Sequence, residues 1–144
     1  MAQAYWSSVF TSPADETWAV VRRFNGLPDW RPAIRSSEII GGGNGLTPGT
    51  VRLLTGVDGS IYRERLAGLD EVDRKPTYEI VEAPMPVRGY RSTLHVQLVA
   101  DTGGAFLSWH ATFGPVEGTT AQEAAAGLEA AYATALAGLH TIIA

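Results

Sequence analysis

Through most of the chain apolar and polar residues alternate with the period of two that marks a half-buried strand, and only near the C-terminus does the period change. There Leu128, Tyr132, Leu136, Leu139 and Ile143 recur at spacings of three and four, one stripe along a long helix expected from about Thr120 to Ile143. The other positions of that segment are mostly Ala, so the helix is thin between its large side chains. A helix of this shape approaches a curved sheet closely at some points and leaves a gap at others. That gap is where function is expected.

At the other end, residues 4–11 carry the strand formers Tyr5, Trp6, Val9 and Phe10. Thr11-Ser12-Pro13-Ala14-Asp15-Glu16 then reads as a helix start, with Ser12 as N-cap, Pro13 at the first helical position and acids in the first turn. This helix is expected to reach about Arg23. The segment from Phe24 to Pro32 breaks it and leaves room for a second short helix around Leu27 to Trp30. Strands follow at about 35–40, 49–56, 60–69, 76–83, 87–100 and 104–114, which with the first makes seven. The Gly41–Gly45 run is a flexible turn, without the strand-to-helix setting of a phosphate loop.

Two hairpins suggest registers. Val57-Asp58-Gly59 as a three-residue loop, with Gly59 left-handed, pairs Gly56 with Ser60 and sets Arg52 opposite Glu64. A two-residue Asp58-Gly59 turn would put Arg52 and Glu64 on opposite faces. A turn at 101–104 pairs Ala100 with Ala105, Val96 with Trp109 and Leu94 with Ala111, and brings His95 opposite His110. Leu94, Val96, Leu98, Leu107, Trp109, Ala111 and Phe113 then share an apolar face, and Thr93, His95, Gln97, Ser108 and His110 a wet one. In the preceding strands Tyr62, Glu64 and Leu66 turn inward and Arg63 and Arg65 outward.

Composition narrows the partners. The 144 residues suffice for one domain with its own core. The absence of Cys excludes disulfides, thiolate metal sites and a Cys nucleophile, and fits the cytoplasm. No apolar run approaches a membrane span and the N-terminus lacks the pattern of a signal peptide, so a soluble protein is expected. Eleven basic against fifteen acidic residues give a net charge of −4, which argues against nucleic acid. A small hydrophobic molecule remains as partner, bound by a monomer or homodimer. His95 and His110 have no evident third ligand, His140 suits the end of the last helix, and no nucleophile-elbow or zinc signature occurs, so neither metal nor cofactor is expected.

The segments Pro13–Trp18, Leu27–Ile34, Gly49–Arg52, Tyr62–Leu66, Pro86–Tyr90 and Ser108–Phe113 carry a family likeness in their order along nearly the whole chain. The chain resembles the helix-grip superfamily of START-domain and birch-pollen-allergen-like proteins (SRPBCC), in its bacterial polyketide cyclase/dehydrase-like branch. The resemblance implies an α+β fold: a curved antiparallel seven-stranded sheet wrapped around a long C-terminal helix, with two short helices after the first strand. It also implies an apolar cavity between sheet and helix, in proteins ranging from carriers to cyclases. In that fold the Ala83–Gly89 connection, stiffened by two prolines, lies near the cavity mouth, and Trp30 plugs one end of the grip.

Candidate chemistry centres on Arg52 and Glu64. Buried charges require partners, so the two are expected to pair, either only to tie strands together or as part of the cavity wall. In the second case Arg52 holds a ligand oxygen, Glu64 exchanges a proton, and Tyr90 adds a hydroxyl donor. Arg and Tyr donors are what aromatic polyketide cyclases of this superfamily are thought to use for ring closure. Tyr62, Tyr78 and Tyr132 are further phenols that combine apolar area with one polar point. Leu54, Leu66, Leu94 and Trp109 on the sheet, with Leu128 and Leu136 on the helix, complete the expected ligand-binding set. The helix stripe is expected to face Trp109, Tyr90 and the Arg52–Glu64 pair across the space. Three functions compete: a hydrophobic-ligand carrier, a cyclase or dehydratase using the same groups, and a protein-interaction domain.

Overall fold

The computed structural model describes residues 1–144. Strand β1 (Ala2–Phe10), helix α1 (Ala14–Val21) and a short 3-10 helix (Phe24–Asp29) come first. They are followed by β2 (Ile34–Ile40), β3 (Val51–Gly56), β4 (Ile61–Asp70), β5 (Lys75–Glu82), β6 (Val87–Leu98), β7 (Ala105–Pro115) and helix α2 (Ala121–Leu139). The seven strands form one antiparallel sheet in the order β1-β7-β6-β5-β4-β3-β2. This is the expected helix-grip α+β architecture.

The β3–β4 hairpin has the three-residue loop. Gly59 is left-handed at φ +88°, the Gly56 amide donates to the Ser60 carbonyl at 2.8 Å, and Arg52 lies opposite Glu64. At β6–β7 the register differs from the tight turn expected: Leu98 pairs with Ala105, Val96 with Leu107 and Leu94 with Trp109. The loop is longer than anticipated because the Gly103 amide closes back on the Val99 carbonyl, with Gly103 at φ +78°. His110 therefore sits opposite Thr93, and His95 opposite Ser108. A shift by two keeps each residue on its face, so the apolar assignment holds from Leu94 through Phe113. Leu98 is the exception: at the hairpin end it is 57% exposed.

Curvature has local causes. Bulges interrupt β2–β3 pairing after Ile34, β4–β5 pairing at Glu64 and around Leu66, and β6–β7 pairing between Arg88 and Arg91. Pairing of β5 with β6 covers only Thr77 to Glu79 against Arg91 to Thr93. Beyond Glu79 the two strands separate, and the proline-bearing connection bridges them. This opening leads to the interior.

Helix α2 packs along β1 and β7. Thr120 caps it, its Oγ1 accepting from the Glu123 amide at 3.1 Å. The helix ends at Leu139 with His140 as C-cap, short of Ile143. Past it, the Ala144 carbonyl accepts from the Ser12 amide, and the Ser12 hydroxyl accepts from the Ala144 amide. The hydroxyl expected to cap α1 is thus engaged by the end of the chain, and α1 starts one residue late, with Pro13 at its N-cap position. At Gly138 the helix presses hard on the segment after the 3-10 helix: a Cβ there would lie 2.1 Å from the Trp30 carbonyl oxygen. Its N-terminal half stands off the sheet. No helix is long and apolar enough to cross a membrane.

Candidate functional site

The space under the N-terminal half of α2 is a cavity of about 340 Å³. Its sheet-side wall comes from Leu54, Tyr62, Glu64, Ile80 and Tyr90, and its helix-side wall from Ala124, Gly127, Leu128, Ala131 and Tyr132. Met85 and Pro86 of the bridging connection, Val87 at the start of β6, and Arg31, Ala33 and Ile34 at the other margin complete a mostly apolar wall. On the helix side the small residues Ala124, Gly127 and Ala131 leave the room, and a Cβ at Gly127 would meet nothing within 4 Å.

Arg52 lies behind this wall, not in it. Its side chain is 4% exposed and that of Glu64 12%. Nε and Nη2 both donate to Oε1 of Glu64, at 3.1 and 2.7 Å, and Nη1 donates to the Phe24 carbonyl. The guanidinium also sits against the Phe24 ring, 4.3 Å from its centroid, and 4.9 Å from that of Tyr78. Phe24 and Tyr78 stack on each other at 5.8 Å. Arg52 therefore binds the 3-10 helix to β3 and β4 and fixes Glu64. Because Arg52 takes only Oε1, Oε2 of Glu64 is left as the acceptor of a residue that lines the cavity.

The second polar point is a pair of phenols. The hydroxyls of Tyr90 and Tyr132 hydrogen-bond to each other in the wall. Whichever donates, the other keeps its own O–H. Burial raises both phenols above the ordinary tyrosine range; for Tyr132 the neighbouring Tyr90 adds to the effect. They are neutral donors, not bases, at physiological pH. Burial also pushes Tyr78 up to about 12, against the pull of the Arg52 charge.

The expected site residues divide. Glu64, Tyr90, Leu54, Tyr62, Leu128 and Tyr132 line the cavity. Trp30, Leu66, Tyr78, Leu94, Trp109 and Leu136 are buried in the core around it without forming its wall. The arrangement expected across an open space is closed at one point: Trp109 stacks directly on Tyr132 at 4.2 Å, and Trp30 is tilted against Trp109 at 6.3 Å. Sequence reasoning passed over Arg31, whose guanidinium lies 5.5 Å from the Trp109 ring centroid at the cavity margin. The sign available was an arginine flanked by Trp30 and Pro32 in the segment that closes the grip. No group of three or more His, Cys, Asp or Glu side chains is placed to hold a metal ion.

A family described as polyketide cyclase/dehydrase and lipid transport matches residues 1–143. The chain belongs to that family. Among solved structures, XoxI from Bacillus cereus is 33% identical over 99% of this chain and 96% of its own, with a TM-score of 0.89. An uncharacterised protein from Bacillus thuringiensis is also 33% identical, over 96% of each chain, with a TM-score of 0.86. Major latex-like protein 151 of Panax ginseng shares the fold at 15% identity, over 99% of this chain and 97% of its own, with a TM-score of 0.82. No curated protein matches the chain. Family and fold together are those of hydrophobic-ligand-binding and polyketide cyclase-like SRPBCC proteins.

Proposed function

We propose that this member of the polyketide cyclase/dehydrase and lipid transport family binds a small hydrophobic, oxygen-bearing molecule, polyketide- or aromatic-like, in the cavity between sheet and α2. The carrying observation is the composition of the wall: a mostly apolar lining around about 340 Å³, with a carboxylate oxygen of Glu64 not taken by Arg52, the Tyr90–Tyr132 hydroxyl pair, and Arg31 and Glu123 as its polar points. That volume is within the roughly 300–1,000 Å³ of small-molecule pockets, and a few fixed polar groups on an apolar wall are what orients such ligands. A hydroxyl of the ligand would donate to Glu64 and a carbonyl would accept from the free phenol hydrogen. Arg52 acts as a positioning residue for Glu64.

The same groups support a second reading, a cyclase or dehydratase. Glu64 Oε2 would take a proton from the ligand while the neutral phenols stabilise the resulting oxyanion. Tyr90→Phe and Glu64→Gln, each checked for folding by circular dichroism, separate the two when incubated with a molecule recovered from the purified protein. For a binder, affinity falls and the molecule is recovered unchanged. For an enzyme, turnover by the wild type is seen and drops by about a hundredfold or more in Glu64→Gln while binding survives. A protein that retains no small molecule and binds none of the aromatic alcohols of this size contradicts both.

A further inference from the structure

Of the charges on the cavity wall, one has no partner. Glu64 is neutralised by Arg52. Glu123, at the start of α2, is exposed, accepts a hydrogen bond from the Thr120 hydroxyl at 3.1 Å, and sits where the helix dipole favours an anion. Arg31 is different. It is half-buried, lines the cavity, forms no ion pair and donates no side-chain hydrogen bond, and its guanidinium lies over the ring of Trp109 at 5.5 Å from the centroid. A guanidinium presents five N–H donors in a planar fork, and leaving them unused beside an apolar cavity is costly unless water or a ligand takes them. Resting on Trp109, which itself stacks on Tyr132, it is held in place before any ligand arrives.

We infer that Arg31 is an anion anchor and that the ligand of this cavity is an acid, its carboxylate held by Arg31 and its apolar body lying toward Leu54, Ile80 and Leu128. The inference rests on the proposed ligand-binding role of the cavity and specifies the ligand class. The Arg31 charge also favours negative charge on the Tyr90 and Tyr132 phenols, which places it within electrostatic reach of the hydroxyl pair. A ligand with a carboxylate at one end and a hydroxyl or carbonyl further in would therefore meet Arg31 first and the phenols next. The exposed Glu123 carboxylate at the margin is screened by solvent and salt and weakens this attraction only modestly.

The test compares two isosteric probes, 2-naphthoate and 2-naphthamide, by calorimetric titration of wild type, Arg31→Lys, Arg31→Gln and Arg31→Met. Arg31→Met keeps the aliphatic stem on Trp109 and guards against a packing defect. The expected result is that wild type prefers the acid by about tenfold, as a charge-assisted bidentate contact gives. Arg31→Lys should keep part of the preference, and both neutral variants should bring the ratio of affinities close to one. Equal affinity of wild type for both probes, or a preference for the acid that persists in both neutral variants, overturns the anchor while leaving the cavity reading intact. Failure of wild type to bind either probe overturns both.

Discussion

At Arg52 three N–H groups are already committed, two to Glu64 Oε1 and one to the Phe24 carbonyl. Removing either partner of such a buried pair leaves an uncompensated charge, so Arg52→Ala is expected to lower the unfolding free energy by about 3–5 kcal/mol in urea titration. A loss below about 1 kcal/mol would mean that the pair is solvated and Glu64 is not held by it. The phenols give a pH signature. Tyr78 is raised to about 12, and Tyr90 and Tyr132 are raised as well, so the native state holds these protons more tightly than the unfolded chain does. Their contribution is fully present below the unfolded tyrosine pKa of about 10 and is lost as pH climbs through the folded values. Thermal unfolding followed from pH 9 to 12 should show a melting temperature that declines above about 10; a flat profile would contradict the burial of three neutral phenols. At this scale the sequence pattern was informative where a register could be drawn. Opposition of Arg52 and Glu64 followed from the Val57-Asp58-Gly59 loop, whereas the isolation of Arg31 depends on which charges come near it in space.

Among the elements, α2 shows how small residues shape both contact and void. Gly138 and Gly127 lie in the same helix in opposite circumstances. A Cβ at Gly138 would meet the Trp30 carbonyl oxygen at 2.1 Å and Pro32 Cδ at 2.8 Å, whereas one at Gly127 meets nothing within 4 Å. Gly138→Ala is therefore expected to destabilise by at least about 1–3 kcal/mol, as overpacking does. Gly127→Ala is expected to stabilise by about 0.5–1 kcal/mol through helix propensity. Equal effects of the two in chemical denaturation would contradict the close contact of Gly138 with the Trp30–Pro32 segment and the open space beside Gly127. The helix was legible from its three-four periodicity, and its thinness pointed to a gap. Its end was not, because Ser12 competes for the last residues: the Ser12–Ala144 pairing is a long-range contact that no local capping signal reveals. The β6–β7 register failed for a related reason. Asp101 to Gly104 reads as a tight turn, yet the closure at Val99 lengthens the loop by residues that alternate just as well as strand.

For the whole molecule, sheet curvature is what turns a layered α+β fold into a container. Bulges bend the strands around α2, and the early end of β5–β6 pairing opens the wall where Met85, Pro86 and Val87 stand. Strand count and order of parts could be read from the alternation of residues, and the family likeness followed from them. Which side of each buried aromatic meets void and which meets core could not, since Trp109 and Tyr62 carry the same inward pattern yet only Tyr62 reaches the cavity. The most direct test of the central claim is a titration of uniformly ¹⁵N-labelled protein with 2-naphthol, followed by amide chemical shifts. Saturable shifts concentrated at Tyr62, Glu64, Tyr90, Gly127, Leu128 and Tyr132 are expected. Absence of shifts up to the solubility limit, or shifts confined to the outer-face residues Arg63, Glu79 and Arg91, would contradict it.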